Sequence, residues 1–214
     1  MVDTSMPQER TVLRRQPKQE RSRERVDEIL KVTMQLIGEK GIDAVTMKAV
    51  ADRSGGPIAS IYQYFPNKSA IISTLYERYS MNLRALLQES LGNIRSVDDV
   101  MLAVDDILGK YYALIQADPS IRDLLNAIEA DKTLQHMDIV ETRLQAAMFT
   151  AATVAFIPEH VRERYARTTF LMFHLSGSTV SLAHMLDGEE AVLMLEDYRA
   201  IIKGQLQLFI EARR

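Results

Sequence analysis

The sequence predicts an all-α fold with two domains. Hydrophobic residues make up 47% of the 214 positions, and they recur mainly at helical spacing rather than in strand-length alternation. The six prolines are sparse, and the glycines mostly fall between long helical patterns. A chain of this length can bury a substantial core. We expect a flexible basic arm over residues 1–17, a small helical domain over 18–68 and a larger helical domain over 69–214.

The first helix is predicted to run from near Lys18 to Lys40 and to end at Gly41. Its apolar positions, together with one threonine, repeat at helical spacing and would cover the elements that follow. These positions are Val26, Ile29, Leu30, Thr33, Leu36 and Ile37.

Two short helices joined by a glycine turn follow the first helix. Thr46 can cap the first of them, and Gly55 supplies the left-handed residue that ends it. Pro57 suits the first position of the second, which is predicted over residues 58–64. This is the layout of a helix-turn-helix, and the polar side chains of the second short helix suit contacts to base edges and to sugar-phosphate.

The same segment resembles the DNA-binding domain of TetR-family transcriptional regulators. The resemblance rests on GIDAVT at 41–46, AVA at 49–51 and GGPIASIYQYFPNK at 55–68. Two residues depart from the family pattern, because Gly56 stands where valine is usual and Pro57 stands where a serine or threonine cap is usual. The resemblance implies a three-helix DNA-binding domain, followed by a variable helical domain that binds a small molecule and forms a dimer.

The residues expected to face DNA lie at helix starts and along the second short helix. They are Thr46, Lys48, Pro57, Ile58, Ser60, Tyr62, Gln63, Tyr64 and Lys68. Lys48 is included by family resemblance, and Lys68 would join its charge to exposed backbone donors at a helix start. Two alternatives stay open: Thr46 acts as a cap only or also meets phosphate, and Tyr62 packs inside or extends its hydroxyl to phosphate.

Charge is distributed unevenly along the chain. Residues 1–68 carry 12 Lys and Arg against 9 Asp and Glu, whereas the remainder carries 14 against 20. A basic arm that leads into a helix-turn-helix can follow the phosphate backbone or enter a minor groove, with an affinity that falls as salt rises. The alternative is a solubilising tail. The basic residues concerned are Arg10, Arg14, Arg15, Lys18, Arg21, Arg23 and Arg25.

Beyond the helix-turn-helix, Asn67 is expected to cap a long fourth helix that connects both domains. Further helices are predicted near 97–117, 119–132, 136–157, 159–186 and 189–212. Residues 168–186 contain no Asp, Glu, Lys or Arg, but their polar side chains and charged flanks favour a buried helix over a membrane span. Small residues in this helix, and excess apolar surface on the last one, predict a homodimer formed through the final two helices.

Aromatic and aliphatic residues of the larger domain are candidates for a ligand pocket, on the arrangement that the resemblance implies. They are Met101, Leu108, Tyr111, Tyr112, Met148, Phe149, Phe156, Phe170, Phe173 and His174. The alternative for each is an ordinary core position, and for His174 a hydrogen-bonded core histidine. A largely hydrophobic effector with one or two polar groups would fit this set.

We expect no enzymatic activity, no cofactor and no metal. The chain lacks cysteine, and its histidines show no catalytic metal spacing. No signal peptide is apparent, so we expect a cytoplasmic protein. The sequence therefore predicts a homodimeric repressor that a small effector releases from a palindromic DNA operator. Two alternatives remain: an activator or protein-responsive regulator of the same fold, and a helical small-molecule carrier without DNA affinity.

Overall fold

A computed structural model describes residues 20–130 and 132–212 of the chain. Over these residues the protein is helical and contains no strand, which confirms the predicted fold class. The principal helices are α1 (Glu20–Lys40), α2 (Met47–Arg53), α3 (Ile58–Tyr64), α4 (Lys68–Leu91), α5 (Val97–Ala117), α6 (Pro119–Ala130), α7 (Lys132–Thr153), α8 (Arg162–Ala183) and α9 (Gly188–Ile210). Short 3-10 turns lie at Ile42–Ala44, Val154–Phe156 and Glu159–Val161. The predicted arm over residues 1–17 lies outside the described residues.

The chain divides into two compact units. The first comprises the residues up to Tyr79 together with Asp123–Ala127, and the second comprises Ser80–Arg122 and Ile128–Arg214. The division at Tyr79 falls within α4, whereas the sequence placed the domain boundary at residue 68. Among the described helices, none is long and apolar enough to cross a membrane.

In the first unit, α1, α2 and α3 enclose a small apolar core. The predicted inward face of α1 is buried in full, and Val32 joins it. Ile61 and Phe65 are completely buried. Burial of a large aliphatic or aromatic side chain contributes roughly 1.5–3 kcal/mol each, so this core holds the short α3 in place although seven residues alone would not form a stable helix.

Helix ends in this unit follow the predicted local chemistry. The Thr46 hydroxyl accepts a hydrogen bond of 3.0 Å from the Ala49 amide, and the Asn67 side chain accepts one of 2.9 Å from the Ala70 amide. Gly41 and Gly55 adopt φ angles of 75° and 67°, the left-handed region that glycine enters without strain. Pro57 differs slightly from expectation, since it caps α3 in an extended conformation and the helix begins at Ile58.

The second unit is built around α5, α7, α8 and α9. Its core contains Tyr165 of α8, whose ring meets the edge of Phe209 on α9 with centroids 5.4 Å apart. Ser96 and Asp99 form a reciprocal capping box at the start of α5, as the predicted Ser96 cap requires. Helix α7 begins and ends four residues earlier than the predicted 136–157.

Helix α8, which the sequence predicts to be a buried helix, is buried on part of its surface. Tyr165, Thr169, Val180 and Ala183 are buried. Leu171, with half of its surface accessible, lies on the exposed side of the helix. The uncharged stretch therefore has one core face and one apolar face that the described residues do not cover.

Candidate functional site

Helix α3 presents a short surface of aromatic, aliphatic and amide side chains. Ile58 and Tyr62 are each about 40% exposed, and Gln63 is exposed as well. Ser60 and Tyr64 are half-buried, so they are less accessible than the sequence suggested. Because Ile61 is buried in the core, the opposite side of the helix faces outward.

The start of α2 adds two polar side chains, Thr46 and Lys48, both of which are exposed. The Thr46 hydroxyl uses an acceptor lone pair for the Ala49 amide, which confirms the cap and leaves its own proton free to donate. Thr46 can therefore cap α2 and still donate a hydrogen bond to a phosphate group. Lys48 has no acidic partner among the residues that the structure describes.

Lys68 occupies the first position of α4 and is half-buried. Its ammonium donates a hydrogen bond of 2.5 Å to the backbone carbonyl of Ile42. Since an ammonium carries three N–H groups, two remain for other acceptors. Lys68 thus has a structural contact in addition to the phosphate contact expected from sequence.

Two arginines of the first unit are engaged by carboxylates. Arg53 pairs with Glu39 through both guanidinium nitrogens, and Arg78 pairs with Asp27. The hydrogen bond from Arg53 lowers the pKa of the exposed Glu39 carboxyl below its ordinary value. Neither pair involves Lys48 of α2 or Lys68 of α4.

The departure at Gly56 is matched by an arginine from α1. The Arg25 guanidinium occupies the space that a side chain at position 56 would need, because a Cβ there would lie 2.5 Å from Nη2. Arg25 also hydrogen-bonds the carbonyl and the hydroxyl of Ser54. The sequence groups Arg25 with the basic arm and does not predict its contact with Ser54. The signal for this contact is the absence of a side chain at Gly56.

The second unit contains a cavity between α5, α7, α8 and α9, with about 500 Å³ of space that includes a part open to solvent. Leu108, Phe149 and Phe173, three of the predicted ligand residues, line it. The remaining lining residues are Val104, Ile107, Tyr165, Thr168, Thr169, Met172, Ser176, Ile202, Gln205, Leu206 and Phe209. The sequence predicts a dimer interface on α9 and does not predict that α9 lines a cavity. The signal for this second role is that α9 has more apolar surface than one interface needs.

Buried hydroxyl groups hold one wall of this cavity. The Tyr165 and Thr153 hydroxyls lie 2.5 Å apart and share a hydrogen bond, and Thr153 also donates to the Phe149 carbonyl at 2.7 Å. Burial raises the pKa of the Tyr165 phenol. Tyr165 is therefore a neutral, fixed part of the wall at physiological pH.

Seven of the predicted ligand residues do not line this cavity. Met101 and Phe156 pack against the core cluster, and Met148 is half-buried. The other four have different surroundings: Tyr111 beside Gly177, Tyr112 against the His184 ring, Phe170 beneath Arg143, and His174 exposed. His174 is thus not a core histidine, and no group of metal-ligating residues occurs in the described parts of the chain.

The exposed faces of α8 and α9 carry a set of large apolar side chains. On α8 and just beyond it these are Leu171, Leu175, Leu182 and Met185; on α9 they are Val192, Leu193, Ile201 and Leu208. Such a number of exposed large apolar side chains on two helices is typical of an interface. These side chains lie on the two helices that the sequence assigned to dimerisation.

Comparison with known proteins places both units in one family. Residues 29–75 match the model of bacterial regulatory proteins of the tetR family, and residues 98–210 match that of the tetracyclin repressor-like C-terminal domain. The HTH-type transcriptional repressor KstR of Mycobacterium tuberculosis is 40% identical over 62 residues, 28% of this chain and 28% of that protein. The chain spans half or less of the length of the curated relatives that it matches.

Solved structures share the fold over most of the chain. A TetR-family transcriptional regulator from Streptomyces coelicolor aligns with a TM-score of 0.66 and 21% identity, covering 86% of this chain and 99% of that one. The SmeT–triclosan complex aligns with a TM-score of 0.61 and 14% identity, covering 86% and 90%.

Proposed function

This chain belongs to the TetR family of DNA-binding transcriptional regulators, and we propose that it is a homodimeric repressor released from its operator by a small, largely hydrophobic effector. The observation that carries the proposal is the outward face of α3, with Ile58, Tyr62 and Gln63 accessible beside Lys48 of α2. Amide side chains read base edges, and an aliphatic residue can meet a thymine methyl group. We assign α3 to the major groove.

A homodimer with two-fold symmetry would bind an operator of matching symmetry. The uncovered apolar faces of α8 and α9 support an isologous interface, in which the same surface of each subunit meets its copy. Two copies of α3 would then enter successive major grooves about 34 Å apart, so the operator would be palindromic.

Release would follow from occupation of the cavity between α5, α7, α8 and α9. An apolar cavity between the helices of a bundle is a usual place for a small-molecule site. The effector would act by binding a conformation that holds the two copies of α3 at another separation, since a ligand shifts an equilibrium only by its difference in affinity for the two states. KstR is described as a repressor, and SmeT forms a complex with triclosan; both agree with this proposal by analogy.

The proposal is tested by selecting binding sites from random DNA with the full-length protein and placing the best site upstream of a reporter. A two-fold symmetric consensus and lower reporter output would support it. Higher output from the same site would indicate an activator, and the absence of any selected site would favour the carrier alternative. Repression that no cavity ligand relieves would indicate a protein-responsive regulator.

A further inference from the structure

The residues that line the cavity of the second unit restrict the chemical class of its ligand further than the function proposed above does. None of its lining residues is charged. Of the charged residues nearby, Lys203 bonds Asp105 at 2.5 Å, and Arg164 lies over the ring of Phe209 without itself lining the cavity. Arg199 of α9 lies beside Gly109 and does not line the cavity.

Most polar groups in the cavity wall already have partners. Tyr165 bonds Thr153, and the Ser176 hydroxyl donates to the Met172 carbonyl at 2.9 Å. The side chains of Gln205 and Thr168 line the cavity, and neither side chain forms a hydrogen bond to another described residue. An amide and a hydroxyl of this kind can each donate and accept, so they can bind one neutral polar group.

We infer that this cavity takes an uncharged, largely apolar molecule with one hydrogen-bonding group, such as an alcohol, a phenol or a ketone, and that Gln205 binds that group. The inference rests on the proposed role of the cavity as the effector site. A carboxylate or ammonium would lose its hydration without gaining an opposite charge, and an unpaired buried charge is strongly unfavourable. The cavity therefore selects against ionised ligands of the same chain length.

Four ligands of equal chain length test this inference: 1-decanol, 2-decanone, decanoate and decylammonium. Their binding to the full chain is measured by displacement of the neutral dye Nile red at neutral pH. We expect decanol and decanone to bind at least about tenfold more tightly than either ion, a difference that corresponds to about 1.4 kcal/mol. Decanoate bound as tightly as decanol would overturn the inference while leaving the cavity as a ligand site.

Four variants sharpen the test. Gln205→Lys should reverse the preference in favour of decanoate, and Thr168→Lys serves the same purpose if the first variant does not fold. Leu108→Trp should fill the cavity and abolish displacement, whereas Leu102→Trp, on the same helix but 64% exposed, should not. If none of the four ligands displaces dye, or both tryptophan variants bind alike, the effector role of the cavity itself is overturned.

An independent observation concerns Arg25 of α1. Its guanidinium donates to the Ser54 carbonyl at 2.7 Å, to the Ser54 hydroxyl at 3.1 Å and to Glu28 at 2.5 Å. Only 17% of the side chain is exposed. Ser54 ends α2, and a cation is favourable at the C-terminus of a helix.

Gly56 leaves room for this contact. Its φ angle is not positive, so the backbone there would accept other residues, but a Cβ would collide with Nη2 of Arg25. We propose that Arg25 is a positioning residue: it fixes the turn that leads into α3 from the α1 side, and it does not bind phosphate. A side chain at position 56 would therefore displace the guanidinium, whereas the backbone itself would accept it.

A double-mutant cycle with the selected operator tests this role. Arg25→Ala and Gly56→Ala should each lower the ratio of operator affinity to unrelated-DNA affinity about tenfold, and the double variant should be no worse than either, because both remove one contact. Gly55→Ala is the matched control; strain at its positive φ is independent of Arg25, so its effect should add to that of Arg25→Ala.

The salt dependence of binding separates positioning from direct contact. We expect Arg25→Ala to leave the slope of log affinity against log salt unchanged, and Arg25→Lys to restore part of the operator preference. Additive effects of Arg25→Ala and Gly56→Ala would overturn the proposal. So would an equal loss of affinity for both duplexes with a slope shallower by about 0.9, the value for one phosphate contact.

Discussion

Lys68 Nζ donates a hydrogen bond of 2.5 Å to the backbone carbonyl of Ile42, 26 residues earlier in the chain. The contact ties the first residue of α4 to the 3-10 turn that precedes α2. The side chain thereby holds its ammonium at the start of a helix, where the backbone amides also favour an anion. One residue can serve both the packing of the module and the binding of phosphate.

Lys68→Ala should therefore have two effects. Loss of the hydrogen bond to Ile42 should lower the free energy of unfolding by about 1 kcal/mol. Loss of the charge should weaken binding to operator and unrelated DNA alike and make the salt slope shallower by about 0.9. Urea unfolding and fluorescence anisotropy measure the two effects separately. A stability loss with no change in salt slope would make Lys68 a structural residue only.

Thr46→Val should cost stability through the N-terminus of α2. Valine has nearly the shape of threonine but cannot accept the Ala49 amide, so we expect a loss of about 1 kcal/mol in the free energy of unfolding. Thr46→Ser keeps the acceptor and is the control. Equal stability of the two variants would show that the cap contributes nothing measurable.

Gln63→Ala should change which operators are preferred. If this exposed amide reads a base edge, its removal should cost about 1–3 kcal/mol of discrimination at one base pair and leave the salt slope unchanged. Repeating the selection from random DNA with the variant measures this change. Gln88→Ala, at another exposed position, is the control. An unaltered consensus would remove Gln63 from the reading surface; Ser60→Ala and Tyr64→Ala would then be tested in the same way.

Leu208→Glu should disrupt the dimer that we propose. A carboxylate at this exposed apolar position on α9 would be buried without a partner in a symmetric interface. Sedimentation velocity should show a monomer that has lost operator affinity. Leu102 has nearly the same exposure, 64% against 66%, but lies on α5, so Leu102→Glu should leave the assembly intact. If both variants sediment like the wild type, the interface lies elsewhere.

Alkaline pH should destabilise the second unit through Tyr165. Burial raises the pKa of its phenol above the ordinary value in the folded state, so the folded protein retains a proton that the unfolded chain loses. Stability from this group is complete below about pH 10, the ordinary tyrosine pKa, and is lost as pH rises through the folded value. Tyr165→Phe should flatten the fall in unfolding free energy above pH 10. A fall unchanged in the variant would assign it to other groups, of which Tyr198 is one, since burial raises its pKa too.

Much of the first unit could be predicted because local chemistry determines it. Thr46 and Asn67 cap helices within three residues of themselves, and Gly41 and Gly55 end segments by a backbone property that the residue type nearly dictates. The membership of the family was also readable from residues 41–68. Helix α7 is displaced from its predicted range by four residues; at its end a 3-10 turn over Val154–Phe156 replaces the last predicted turn of α-helix.

The parts of the two sites that could not be predicted from the sequence depend on contacts between residues that are far apart in the chain. Arg25 meets Ser54, 29 residues away, and nothing in the local sequence around Arg25 distinguishes it from its basic neighbours. The cavity takes four of its lining residues from α9, whose apolar positions all suit a dimer interface equally well on sequence alone. Side chains such as Phe170 and His174 share a helix with the cavity but face away from it.

The central claim is that α3 reads a specific DNA sequence. The most direct measurement is fluorescence anisotropy of the full-length protein with its selected operator and with an unrelated duplex of equal length, across a range of salt concentrations. Our account predicts tight binding to the operator, much weaker binding to the unrelated duplex, and affinity that falls steeply with salt for both. Equal and weak binding to the two duplexes at every salt concentration would contradict it.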